Sequence, residues 1–210
     1  MTRPMDAARL ARRGLLLATP ALILAGTRAT PAAALECDQR ERDYFGNRLL
    51  TNQDGRQVRF YDDVLRDRTV LVGWIFTNCP DACPLLAARS LQIADVASQA
   101  GTAPRIVHLT TDPRRDRPER LKAWAARFGD YADWVLLTGA PGDLRDVARR
   151  LGQTVDEARP DQHTTLLLGG NVAARRWAKL RPDMSAEAAG AQLADFAIVP
   201  KAVDAAACTS

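Results

Sequence analysis

The sequence predicts an α/β domain with a mainly parallel sheet covered on both faces, preceded by an N-terminal leader. Three observations predict it. Residues 70–76 form a nearly continuous apolar and β-branched run, the mark of a strand buried on both sides. Strand-like and helix-like segments alternate from there to Leu151, which implies parallel pairing. The first 34 residues differ from the rest in charge and composition, and what remains suits one domain.

The leader carries Arg3, Arg9, Arg12, Arg13 and Arg28 against Asp6 alone, with an apolar run over residues 14–26. That run is shorter than the roughly 20 residues a bilayer helix needs, and Thr19 and Pro20 interrupt it. Ala32, Ala33 and Ala34 offer a small-residue cleavage site before Leu35, so an export signal over 1–34 is expected, with an uncleaved anchor as the alternative. Arg12 and Arg13 also fit a twin-arginine signal. Glu36 before Cys37 does not suit a lipidation site. The chain has 29 basic and 25 acidic residues, and removing the five leader arginines and Asp6 balances the two. A neutral domain without a cationic stripe excludes nucleic acid as the expected partner.

Residues 35–43 read as a linker. Asp54 and Gly55 form a turn between Leu49, Leu50 and Val58, Phe60, a short hairpin. After the strand over 70–76, Pro84 suits the first turn of a helix reaching about residue 100. A strand follows over 105–110 and ends in the turn signal Thr111, Asp112, Pro113. Leu121, Trp124, Ala125 and Phe128 recur at helical spacing, as do Leu144, Val147, Ala148 and Leu151, with a short strand over 134–137 between them. Strands over 164–168 and 172–177 are expected to form a hairpin turning at Gly169, Gly170 and Asn171, before a helix over 185–196. This order resembles a thioredoxin-like fold with an N-terminal hairpin extension and an inserted strand–helix. In such sheets chemistry gathers beyond the carboxyl ends of the strands.

Cys79 lies just beyond the first core strand and Cys83 directly precedes Pro84. A helix N-terminus favours the thiolate, the form that both binds metal and attacks disulfides. The C-x-x-x-C spacing has one residue more than the C-x-x-C of thiol oxidoreductases, leaving room for both sulfurs to face one ion. His163, before the strand over 164–168, supplies an imidazole, and Asp161 is a candidate acceptor for its other ring nitrogen. Two thiolates and one imidazole suit copper as Cu(I) or Cu(II). A structural disulfide and a zinc site are the alternatives, although a closed zinc site wants four ligands. Cys37 and Cys208, near the two ends of the domain, are a second candidate pair. His108 reads as a hydrogen-bonded strand residue, the four tryptophans as core, and Arg114, Arg115, Arg117 and Arg120 as a solvated helix start.

At these residues the chain resembles the Sco/SenC family, exported copper proteins that help build cytochrome c oxidase. The carriers are T-N-C-P-D-A-C-P-L at 77–85, T-D-P-R-R-D-R-P-E at 111–119, and His163 with Thr164. The resemblance implies a thioredoxin-like copper-binding domain over 44–200, followed by a tail over 201–210. It implies Cys79, Cys83 and His163 as metal ligands and Asp112 as a supporting acid. It further implies copper delivery to the copper-bearing subunit of cytochrome c oxidase, a membrane-associated partner, on the periplasmic side. Other copper chaperones or thiol reductants are further expected partners. The alternative function is a thiol–disulfide oxidoreductase using Cys79 and Cys83 on the oxidase copper site or another exported target. The chain departs from the family pattern in having Gln162 rather than an acid directly before His163.

Overall fold

The computed structural model describes residues 31–156 and 158–198. The leader up to residue 30 and Cys208 lie outside the described residues; Cys37 is disulfide-bonded. Among the described residues no helix is long and apolar enough to cross a membrane.

The chain runs α1 (Pro31–Phe45), β1 (Leu49–Asn52), β2 (Gln57–Arg59), a π-helical turn (Phe60–Leu65), β3 (Thr69–Ile75), α2 (Ala82–Gln99), β4 (Arg105–Thr110) and α3 (Pro118–Ala125). A short 3-10 turn, β5 (Trp134–Thr138), α4 (Pro141–Arg150), β6 (Leu167–Asn171), β7 (Arg176–Leu180) and α5 (Ala186–Phe196) complete it. The strands form one sheet in the order β2-β1-β5-β4-β3-β6-β7. β3, β4 and β5 are parallel, while β6 and β7 close the far side antiparallel. Strands β4, β3, β6 and β7 with α2 and α5 are the thioredoxin-like unit. β5 with its helices is the insertion, and the β1–β2 hairpin pairs onto its outer edge.

Every residue of β3 is buried, because helices cover both faces. Val70, Val72 and Trp74 face the cluster under α1, the π-helical turn and α4; Leu71 and Ile75 face the one under α2, α3 and α5. Burial of these large apolar side chains is the main force fixing β3 at the centre.

Two expectations about elements are revised. The stretch read as a linker over 35–43 lies in α1, docked by Asp38, which accepts from Arg66 and from the Tyr61 hydroxyl, and by Phe45 against Trp177 with ring centroids 5.0 Å apart. The closing hairpin begins later than expected. Gly169, Gly170 and Asn171 are strand residues, and the turn falls on 172–175. The glycines serve close packing: a Cβ on Gly170 would come within 2.2 Å of the Trp177 indole, and one on Gly169 within 2.7 Å of Leu193. Arg175, at φ 52°, takes the left-handed turn position instead.

Gly190 plays a similar part between α5 and α2. A Cβ there would lie 2.6 Å from Val96 Cβ and 3.0 Å from the Ile93 carbonyl oxygen, neither of which yields easily. Gly190→Ala gains about 1 kcal/mol of helix propensity but incurs overpacking in the upper part of the usual range, about 2–3 kcal/mol. We expect a net loss of about 1–2 kcal/mol in urea unfolding; a variant as stable as the parent would show that the two helices part freely.

Candidate metal centre

β3 ends at Ile75, and the next residues form a loop that carries Cys79 into the start of α2. Cys83, in the first helical turn, is fully buried and Cys79 half-buried. Both are free thiols. The Cys83 amide donates to the Cys79 sulfur at 3.3 Å, and the Phe76 amide donates to the Cys83 sulfur at 3.4 Å. The two sulfurs therefore sit among backbone N–H groups where chain becomes helix.

The thiols are unequal. Burial alone would raise the Cys79 thiol, but the Cys83 amide, the Cys83 thiol and the amides of Asp81 and Ala82 together bring it below its ordinary value. Burial pushes the Cys83 thiol up to about 12; the Phe76 amide opposes this, and Cys79 and Asp116 reinforce it. Cys79 is the accessible and more acidic thiol of the pair and Cys83 the enclosed one.

His163 comes to them from the loop before β6. Its Nε2 is 3.8 Å from the Cys83 sulfur, and its ring meets Phe76 edge-on at 5.9 Å. Nδ1 lies 2.9 Å from the Thr164 carbonyl oxygen, which can only accept. Nδ1 therefore carries the proton, and Nε2 presents its lone pair toward Cys83. Burial pushes the imidazole below its ordinary value, against the Thr164 carbonyl and the Asp161 charge, and so favours the neutral ring.

The Thr164 carbonyl thus occupies the place expected of Asp161, which is exposed and reaches the ring only through its charge. Backbone alone orients the imidazole. Asp112 is buried, but its carboxylate pairs with Arg115 at 2.9 Å. The acid tied to the cysteine loop is Asp116, fully buried, which accepts from the Thr77 amide at 3.1 Å, the Thr77 hydroxyl and the Thr110 hydroxyl at 2.6 Å. Thr111, at the end of β4, donates its hydroxyl to the Pro160 carbonyl at 2.9 Å, tethering the histidine loop. Arg120, expected in solvent, donates to the Thr77 hydroxyl at 2.7 Å. The sequence signal for Asp116 and Thr111 was the single block at 111–119, which Arg120 directly follows: the segment after β4 fastens both ligand-bearing loops.

The donors present are two sulfurs and one imidazole nitrogen, a soft set suited to a low-coordinate metal and one ligand short of a closed zinc site. Among the described residues no three His, Cys, Asp or Glu side chains are already set around one point for an ion.

Fold and site together define a thioredoxin-like protein with a cysteine pair at the strand-to-helix loop and a histidine facing it. The SCO1/SenC family model matches residues 38–172, and the chain belongs to that family. It is 33% identical over 89 residues to the SCO1 protein homolog of Bacillus subtilis (strain 168), covering 42% of this chain and 45% of that one. The chain spans about half the length of the curated relatives it matches. Among solved structures it is similar to Bradyrhizobium japonicum ScoI with copper bound, at 22% identity and a TM-score of 0.59, covering 72% of this chain and 98% of that one. It is also similar to BsSco, described as a member of the Sco family of cytochrome c oxidase assembly proteins, at 20% identity and a TM-score of 0.63, covering 74% and 93%. At these identities the two structures speak for the fold.

Proposed function

We propose that this protein is an exported copper metallochaperone. Cys79, Cys83 and His163 take up one copper ion, which then passes to the copper centre of cytochrome c oxidase during assembly. The observation that carries the reading is the approach of His163 Nε2 to the Cys83 sulfur, with the other ring nitrogen already occupied by a backbone carbonyl. An imidazole held in this way is a poised ligand, whereas a plain disulfide would give the histidine no task. Membership of the SCO1/SenC family and the copper-bound relative support the same reading.

Copper is the cargo. Cys79, half-buried and the more acidic thiol, is the sulfur a partner reaches first; Cys83 gives up its proton as the metal binds. A three-donor site leaves a coordination position through which a partner's cysteine or histidine enters, so the ion moves by stepwise ligand exchange without release to water.

Titration of the reduced full chain with Cu(I) is expected to saturate at one equivalent. Cys79→Ser, Cys83→Ser and His163→Ala should each weaken binding by about 100-fold or more. Wild-type affinity in Cys79→Ser, or a His163→Ala variant that retains copper but loses thiol reduction, would reject the chaperone reading in favour of the oxidoreductase.

A further inference from the structure

We infer that Asp116 is a positioning residue for the metal centre, acting through the Thr77 hydroxyl to fix the loop that carries Cys79. The inference deepens the copper reading and rests on it for its affinity readout.

The loop from Phe76 to Asp81, which carries Cys79, is held by neither strand nor helix. Within it the Cys79 amide donates to the Phe76 carbonyl at 3.1 Å. Its anchorage to the body of the domain passes through Thr77. The Thr77 amide donates to Asp116 Oδ2 and its hydroxyl to Asp116 Oδ1. A hydroxyl has one proton, so its lone pairs remain for Arg120, whose Nε donates to it at 2.7 Å while Nη2 reaches Asn78 Oδ1 at 3.4 Å. The carboxylate is secured from below by the Thr110 hydroxyl at the end of β4.

Asp116 is fully buried, and a buried carboxylate is costly wherever an expected donor is missing. Two of its donors belong to Thr77. Movement of the loop away from β4 would strip both at once, so the carboxylate penalises every excursion that carries Cys79 from Cys83. Arg120, 46% exposed, closes the arrangement from the solvent side. A loop that is already held has less to be ordered when the metal arrives, and that saving appears as affinity.

The test uses Thr77→Val, which removes the hydroxyl at a half-buried position, Thr77→Ser, which keeps it, and Asp116→Asn. In the metal-free full chain, Thr77→Val should speed hydrogen exchange of the Cys79 amide about tenfold while the Leu71 and Val107 amides keep their rates. Its Cu(I) affinity should fall about tenfold, with a shifted thiolate-to-Cu(II) absorption band, and Thr77→Ser should restore all three readouts. Asp116→Asn should act in the same direction; if it fails to fold, Thr77→Val carries the test. Wild-type exchange at the Cys79 amide in Thr77→Val overturns the inference. So does faster exchange that Thr77→Ser does not reverse, or faster exchange with copper affinity unchanged. If no form of the chain binds copper, the metallochaperone reading falls, and the exchange rates still decide whether Asp116 holds the loop.

Discussion

Acidification from pH 6.5 to 4.5 should remove roughly 2 kcal/mol of folding stability through His108 alone. The imidazole is completely buried in β4, and burial lowers its pKa from 6.5 to about 3. Its hydrogen bonds fix the neutral tautomer. Trp134 Nε1–H donates to Nδ1 at 3.2 Å, so the ring proton is on Nε2, 3.2 Å from Ser90 Oγ; the Ser90 hydroxyl in turn donates to the Leu86 carbonyl at 2.8 Å. A second proton on Nδ1 would confront the indole N–H, donor against donor, in an apolar interior.

The folded pKa lies below the unfolded one, so this stability is fully present above pH 6.5. It is lost as pH falls, because only the unfolded chain then binds the proton, at about 1.4 kcal/mol per pH unit. Urea unfolding at several pH values should show wild type taking up one more proton on unfolding below pH 6 than His108→Gln does. Parallel curves for the two proteins would contradict the assignment. A loss of this size matters to a domain whose whole stability is typically about 5–15 kcal/mol.

Asp146→Ala should cost about 3 kcal/mol and lower the melting temperature by about 6–12 °C. The carboxylate, on α4, is 8% exposed and gathers Arg48 at 2.8 Å, Arg150 at 2.9 Å and Arg149. Burial would raise it, but hydrogen bonds from Arg48 and Arg150 hold it below the usual carboxylate range. Through these arginines one acid links α4 to the approach to β1 and, by way of Arg150, to the Asp43 and Tyr44 carbonyls at the end of α1. Without it three guanidinium groups face one another. Arg48 and Arg149 can turn to water, which keeps the cost below that of a wholly enclosed pair. Copper binding should be unchanged, since this cluster lies on the sheet face opposite α2 and Cys83. A melting shift under about 2 °C would show that the arginines are anchored by other contacts.

The place of the cysteine pair and most of the fold were legible in the sequence for a common reason: both follow from short-range rules. The apolar run from Val70, the helical spacing of Leu144, Val147 and Leu151, and the cysteines at a strand-to-helix junction are each visible within one element. The late start of β6 was not. Gly169 and Gly170 carry the local signature of a turn, and only the indole of Trp177 and the side chain of Leu193 lying over them explain their place in a strand. The helix over the stretch read as a linker was hidden for a similar reason. Its polar surface lacks an apolar stripe, and its docking rests on Asp38 meeting Arg66 and Tyr61 from a distant turn.

By itself, the sequence determined the order of strands and helices from β3 onward, the two thiols at one junction and the imidazole eighty residues away. The tertiary structure alone decided which groups serve them: Asp116 rather than Asp112 at the cysteine loop, and the Thr164 carbonyl rather than Asp161 on the histidine ring. The physical reason is that a polar side chain's partner is set by which ends of non-adjacent strands meet. Periodicity and spacing record a residue's own element and carry no account of what faces it across the sheet.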